Sequence, residues 1–217
     1  MENDIIKKDY SQFVKIHQTE RKDVSNKYFT SEEIKKLLAN QDFTAVVSHG
    51  RGKGTNIEMQ LVDSVIILLY TGVRIGELLS LKCADVDIPN RTIHLHGTKT
   101  DAAERKVPIH KDLIPYLEKR LAAGKEWLIP NGFGEQFEDK AYRRYFFTPL
   151  AKFLGAPHLT PHATRHTFIS IMDNCGVSTE SVVLKRMVGH SNKSVTQHYT
   201  HKDIEQMIKA IDNFKLL

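Results

Sequence analysis

The apolar residues of this chain change period twice, and no other feature constrains its fold as much. Residues 57–70 are crowded with apolar side chains and read as helical, with Val65 to Tyr70 as the longest uninterrupted run. Residues 86–88, 92–96 and 105–109 alternate as short strands do, with Pro89-Asn90 as the first turn and residues 97–104 as the second loop. From Lys111 onward helical spacing returns, over residues 111–122, 139–153, 162–175, 179–188 and 203–214. Gly176 stands where a helix from His162 would place its C′ residue. Upstream, Thr30 and Glu33 have the spacing of a capping box before Ile34, Leu37 and Leu38. The expectation is a mainly α chain carrying one small antiparallel β-sheet, an α+β architecture.

With 217 residues, of which 41% are hydrophobic, the chain can build one sizeable core. Residues 1–28 are charged and weakly patterned, and read as an interdomain linker or N-terminal extension. Residues 29–217 then form the folded domain. Its longest apolar run is far too short to span a bilayer, and the N-terminus has no apolar stretch of signal-peptide length. Cys83 and Cys175 stand far apart without CxxC spacing, which argues against a disulfide scaffold or a zinc ribbon and fits a reducing cytoplasm. The net charge of +5, from 31 basic and 26 acidic residues, modestly favours a polyanionic partner.

Several polar residues stand in settings that carry chemistry. Arg74 follows the break Thr71-Gly72 and precedes Glu77 by three residues, at the start of a new helix. A buried guanidinium there can fork onto two phosphate oxygens, and it can equally form a helix-start ion pair with Glu77. Thr160-Pro161 suits the start of a helix, with Thr160 as cap, and puts His162 and Arg165 on one face of its first turn. That end of a helix already attracts anions through free N–H groups and the dipole. His162 and His166 also have the i, i+4 spacing of a zinc helix, but the metalloprotease glutamate is missing and Arg165 would oppose a cation. Lys99 lies on the loop between two strands, as a solvated hairpin lysine or as a mobile proton donor. Gly50 to Thr55 resembles a phosphate loop only faintly, because the P-loop spacing fails. Asp85-Val86-Asp87 fits strand alternation better than a magnesium site. Tyr199 follows Gly189-His190 on a short polar segment, not on an apolar helix face.

Together these segments resemble the catalytic domain of the tyrosine recombinases, the phage and transposon integrases. The resemblance covers about residues 29–210. Its carriers are Thr71-Gly72-Val73-Arg74-Ile75-Gly76-Glu77-Leu78, Gly97-Thr98-Lys99-Thr100 before Arg105-Lys106-Val107-Pro108-Ile109, His162-Ala163-Thr164-Arg165-His166, and Val188-Gly189-His190 with Tyr199. Val188 stands where leucine is usual, and Val195-Thr196 where a Thr-Thr pair is common.

The resemblance implies the family's catalytic-domain fold and a DNA strand transferase. Tyr199 would be the nucleophile and form a 3′-phosphotyrosyl link. Arg74 and Arg165 would hold the non-bridging oxygens, Lys99 would protonate the leaving 5′-oxygen, His162 would accept the tyrosine proton, and His190 would bond a phosphate oxygen. Neither a metal nor a nucleotide cofactor is called for. The partner would be double-stranded DNA, met by a protein that is monomeric alone and tetrameric on DNA. An accessory DNA-bending or directionality protein is allowed, and the setting is the cytoplasm of a bacterium, at the nucleoid. The family's clamp domain has no counterpart here, so the chain reads as a catalytic fragment. A C-terminal helix over about 203–217, with Ile204, Met207, Ile208, Ile211 and Phe214 in one stripe, would either pack on its own domain or exchange between protomers. The rivals are a catalytically silent DNA-binding protein of this fold, a type IB topoisomerase-like enzyme, and a metal-dependent nuclease. The first would show gaps in the Arg, His and Tyr set, and the last a cluster of carboxylates.

Overall fold

A computed structural model of the chain describes residues 27–49, 55–97, 104–189 and 201–217. The fold grows around helix α2 (Val62–Thr71), whose ten residues are all buried, including Asp63, Ser64 and Thr71. Their polar atoms are satisfied locally or by one partner each. Thr71 Oγ1 donates to the Ile67 carbonyl at 2.7 Å, Ser64 shares a hydrogen bond with the buried Tyr142 hydroxyl at 2.6 Å, and Asp63 pairs with Arg120. A helix apolar all round belongs at the centre of a domain, and α2 sits there.

Before it come α1 (Ser31–Ala39) and a hairpin of β1 (Ala45–His49) and β2 (Thr55–Met59). The Thr30–Glu33 capping box is present, with Glu33 N donating to Thr30 Oγ1 at 3.2 Å and Thr30 N to Glu33 Oε2 at 2.8 Å. After α2 come α3 (Ile75–Leu79) and a three-stranded antiparallel sheet, β3 (Val86–Asp87), β4 (Thr92–Leu95) and β5 (Arg105–Pro108), in that order. Its inward face carries Ile93 opposite Val107 and Leu95 opposite Arg105.

The rest is helical: α4 (Ile114–Ala122), α5 (Asp139–Tyr142), a π-helical stretch (Arg143–Phe147), α6 (Thr148–Leu154), α7 (Pro161–Asn174), α8 (Val182–Val188) and α9 (His201–Ile211). Helix α7 packs along α2, and α8 and α9 lie against β5. The α7 helix ends as expected, with Gly176 at φ 86° one residue past its cap.

Two expectations need correction. Residues 57–59 belong to a strand, not to the following helix, because Ile57 and Met59 pair with Val47 and Ala45 across the hairpin. The described residues therefore hold two small antiparallel sheets, where the sequence pattern suggests one. None of the helices among the described residues is long and apolar enough to cross a membrane. The linker reading of residues 1–28 falls mostly outside the described residues, as does the basic loop at 50–54.

Helix α9 packs back on its own domain. Met207, Ile211 and Phe214 are buried, and the Phe214 ring lies 5.4 Å from Tyr70 and from Phe168, centroid to centroid. Ion pairs hold both ends of this segment, Arg186 with Asp203 and Arg91 with Asp212.

Candidate nucleic-acid site

The site begins where α2 stops. Gly72 ends the helix in the left-handed conformation, φ +64°, and its carbonyl faces α7. A Cβ at this position would come within 2.3 Å of Phe168 Cδ1, so glycine is required by both backbone and space. Two residues later Arg74 is the extended N-cap of α3. Its backbone N donates to Glu77 Oε2 at 2.8 Å and its Nη1 to Oε1 at 3.0 Å. The helix-start ion pair with Glu77 thus exists. The Arg74 side chain is not buried as expected: it is 46% exposed, and Nη2 reaches towards the Gly189 carbonyl at 3.5 Å.

Glu77 takes a second arginine. The buried Arg105 donates through Nη1 to Oε1 at 2.9 Å and through Nη2 to Oε2 at 3.0 Å. Although burial opposes ionisation, the hydrogen bonds and charge of Arg105, followed by those of Arg74, hold this carboxyl below the usual glutamate range.

Arg165 enters from α7. Pro161 occupies the first turn of that helix, but the Thr160 hydroxyl makes no cap bond, contrary to expectation. Arg165 is 3% exposed, and its Nη1 donates to the Gly72 carbonyl at 2.8 Å. Its Nη2 is buried with no partner among the described residues. Burial, then the charges of Arg74 and Arg105, push this guanidinium down to about 10. An unpaired buried donor costs on the order of 1–3 kcal/mol, and more for a charged group. An acceptor carrying negative charge would satisfy this donor.

His162 lies one helical turn before Arg165, exposed, with the His166 ring 4.6 Å away edge-on. Desolvation first, then His166, Arg165, Arg74 and Arg143, hold His162 below the ordinary histidine range. Among guanidiniums the imidazole stays neutral and can accept a proton. Among the described residues no group of three His, Cys, Asp or Glu side chains is placed to hold a metal ion.

A model of the phage integrase family matches residues 27–206. The chain belongs to that family. Tyrosine recombinase XerC of Bacillus pumilus is 32% identical over 196 residues, covering 84% of this chain and 59% of the relative. Tyrosine recombinase XerA of Thermococcus kodakarensis is 31% identical over 197 residues, covering 88% and 64%. The chain thus spans less than two thirds of the length of these relatives. Among solved structures, the Tn1549 transposon integrase in complex with transposon right end DNA superposes with a TM-score of 0.64 at 22% identity, covering 94% of this chain and 70% of that one. XerA recombinase gives 0.57 at 23% identity, covering 84% and 64%. These likenesses establish the tyrosine recombinase catalytic-domain fold.

Within this integrase domain the structure brings together three of the six residues singled out in the sequence, Arg74, His162 and Arg165. Lys99, His190 and Tyr199 lie outside the described residues. Their flanks are described: Leu95 and Arg105 pair across the sheet, α8 ends at Gly189 with φ +67°, and α9 begins at His201. Arg105 is the polar residue that the sequence reading leaves without a role. A signal for it exists, because Arg105 and Val107 are i and i+2 on one strand, so an arginine occupies the inward face.

Proposed function

We propose that this chain is the catalytic part of a site-specific DNA recombinase that cuts and rejoins strands through a 3′-phosphotyrosyl intermediate without a metal ion. The observation that carries the reading is the buried Nη2 of Arg165, unpartnered among the described residues, in a site it shares with the half-exposed Arg74 and with His162. Two guanidiniums supply the charge that metal ions supply elsewhere, offsetting the growing negative charge on the non-bridging oxygens.

In the reaction, the Tyr199 oxygen attacks phosphorus and the bond from phosphorus to the 5′-oxygen breaks. The tyrosine proton passes to His162, and Lys99 gives a proton to the departing 5′-oxygen. His190 donates a hydrogen bond to a phosphate oxygen. The products are a 3′-phosphotyrosyl protein and a free 5′-hydroxyl, and attack by a 5′-hydroxyl of the partner strand reverses the step. The bond energy is retained in the phosphotyrosine, so the exchange needs no nucleotide cofactor. The DNA is double-stranded, and the protein is a monomer alone and a tetramer on DNA, with α9 passing from its own domain to a neighbour in the assembly. DNA as substrate fits a cytoplasmic protein working at the nucleoid.

The test is covalent capture. Nicked duplexes drawn from the DNA flanking the gene are incubated with the protein in EDTA, and adducts that survive denaturation are mapped by mass spectrometry. The expected link is on Tyr199, and Tyr199→Phe forms none while binding DNA as before. An adduct on another residue, or cleavage that EDTA abolishes, overturns the reading.

A further inference from the structure

Arg105 closes a ring of contacts that joins three parts of the site. Its side chain is 1% exposed; it forks onto both Glu77 oxygens and donates from Nε to the Met187 carbonyl at 3.0 Å. The face of its guanidinium lies against Gly189, where a Cβ would stand 2.8 Å from Cζ and Nη1. Glu77 in turn holds Arg74 by backbone and side chain, and Arg74 reaches back to the Gly189 carbonyl. Each Glu77 oxygen thus accepts one bond from Arg74 and one from Arg105.

We infer that Arg105 is a positioning residue for strand cleavage, which fixes Arg74 through Glu77 and fixes the end of α8 through Met187 and Gly189; this rests on the function proposed above. Its place in the chain gives the inference its reach. Arg105 opens β5 directly after the segment that carries Lys99, and Gly189 directly precedes His190 and the segment that carries Tyr199. One guanidinium therefore anchors the roots of both segments and the fork of Arg74. A lysine cannot replace it, since an ammonium cannot bind two carboxylate oxygens in a plane and a carbonyl on its third edge. Losing the arginine alone also leaves Glu77 largely buried with one partner fewer, which destabilises the fold. The test must separate these effects.

Arg105→Met, Arg105→Lys and the double variant Arg105→Met with Glu77→Gln are compared with wild type in melting temperature, DNA affinity and the single-turnover rate of adduct formation. The double variant removes the charge of the carboxylate that has lost Arg105 and is expected to recover much of the stability lost in Arg105→Met. Its rate stays about 10²-fold down, the scale of losing a preorganised group, with DNA affinity within about threefold because Arg105 touches no solvent. Arg105→Lys folds and cleaves at an intermediate rate. If the double variant regains the wild-type rate together with its stability, or if affinity falls as far as rate, the positioning role is overturned. A second readout needs no cleavage. In DNA-free protein the NMR signal of the Arg74 guanidinium shifts towards that of a solvated arginine in both the Lys and the Met variant, where Glu77 is kept. An unchanged Arg74 signal overturns the inference, whereas a wild-type protein that forms no adduct while its Arg74 signal responds to Arg105 overturns only the proposed function.

Discussion

Arg165 Nη1 donates to the Gly72 carbonyl at 2.8 Å, and this bond links two segments separated by 93 positions. It turns the end of α2 into a bracket for the guanidinium, with Nη1 held and Nη2 without a partner among the described residues. The same glycine is pressed against Phe168, one turn further along α7. Two side chains of α7 are thus both registered on one residue.

Arg165→Lys should keep charge and lose function. An ammonium can reach either the Gly72 carbonyl or a phosphate oxygen, not both in one plane. Adduct formation is expected to fall by about 10²-fold or more, and Arg74→Lys by a similar factor. Rates within twofold of wild type for either variant, in a single-turnover assay, would remove that arginine from the proposed phosphate site.

Gly72→Ala should damage the fold itself. The added methyl meets Phe168 at 2.3 Å on a backbone with φ +64°. Overpacking costs roughly 1–3 kcal/mol and left-handed strain roughly 1–2 kcal/mol, so chemical denaturation should record a loss on the order of 2–5 kcal/mol. A loss under 1 kcal/mol would mean that α2 and α7 separate easily at this point.

Stability should decline in mild acid. His110 is buried between Tyr70 and Phe214, and burial holds it below the ordinary histidine range; His162 and His166 are lowered too, chiefly by desolvation. A histidine with a depressed folded value binds its proton more readily when unfolded. Its contribution is therefore complete above about pH 6.5 and is lost as pH falls below that towards the folded value. Thermal melts from pH 7.5 to 5 should drop, and His110→Gln should flatten the slope. An equal slope in that variant would clear His110 of the effect.

Phe214→Ala should test the seat of the C-terminal segment. The ring contacts Tyr70, His110 and Phe168, and its loss is expected to cost about 3–5 kcal/mol in the DNA-free protein. Deleting residues 203–217 should lower the melting temperature at least as far. A variant that melts like wild type would show that this segment is not seated on its own domain in solution.

What could be read from the sequence was what neighbouring residues decide among themselves. The Thr30–Glu33 box and the Gly176 helix end depend on contacts within a few positions, and both are present; β3, β4 and β5 also stand where the pattern and the turn residues between them put strands. The β1–β2 hairpin depends on pairs such as Val47 with Ile57, and its second strand runs into an apolar helix with only Gln60 and Leu61 between, so its period is hidden. At the site, residue types and their order pointed to Arg74, His162 and Arg165. Their burial did not follow, because exposure of Arg74 and enclosure of Arg165 depend on how α3 and α7 meet. Arg105 went unassigned for the same reason: its partners, Glu77 and Met187, lie 28 and 82 positions away.

Helix α2 turns every one of its side chains inward, and this limits how such a protein can diversify. It has no surface with which to meet a partner, and almost any change along it disturbs the interior. Heritable variation in what the protein recognises must therefore accumulate in the outer elements, while the axle between Val62 and Thr71 drifts only among side chains of matching volume. A deep mutational scan would display this as a band of intolerance ten positions wide, ending just short of Arg74.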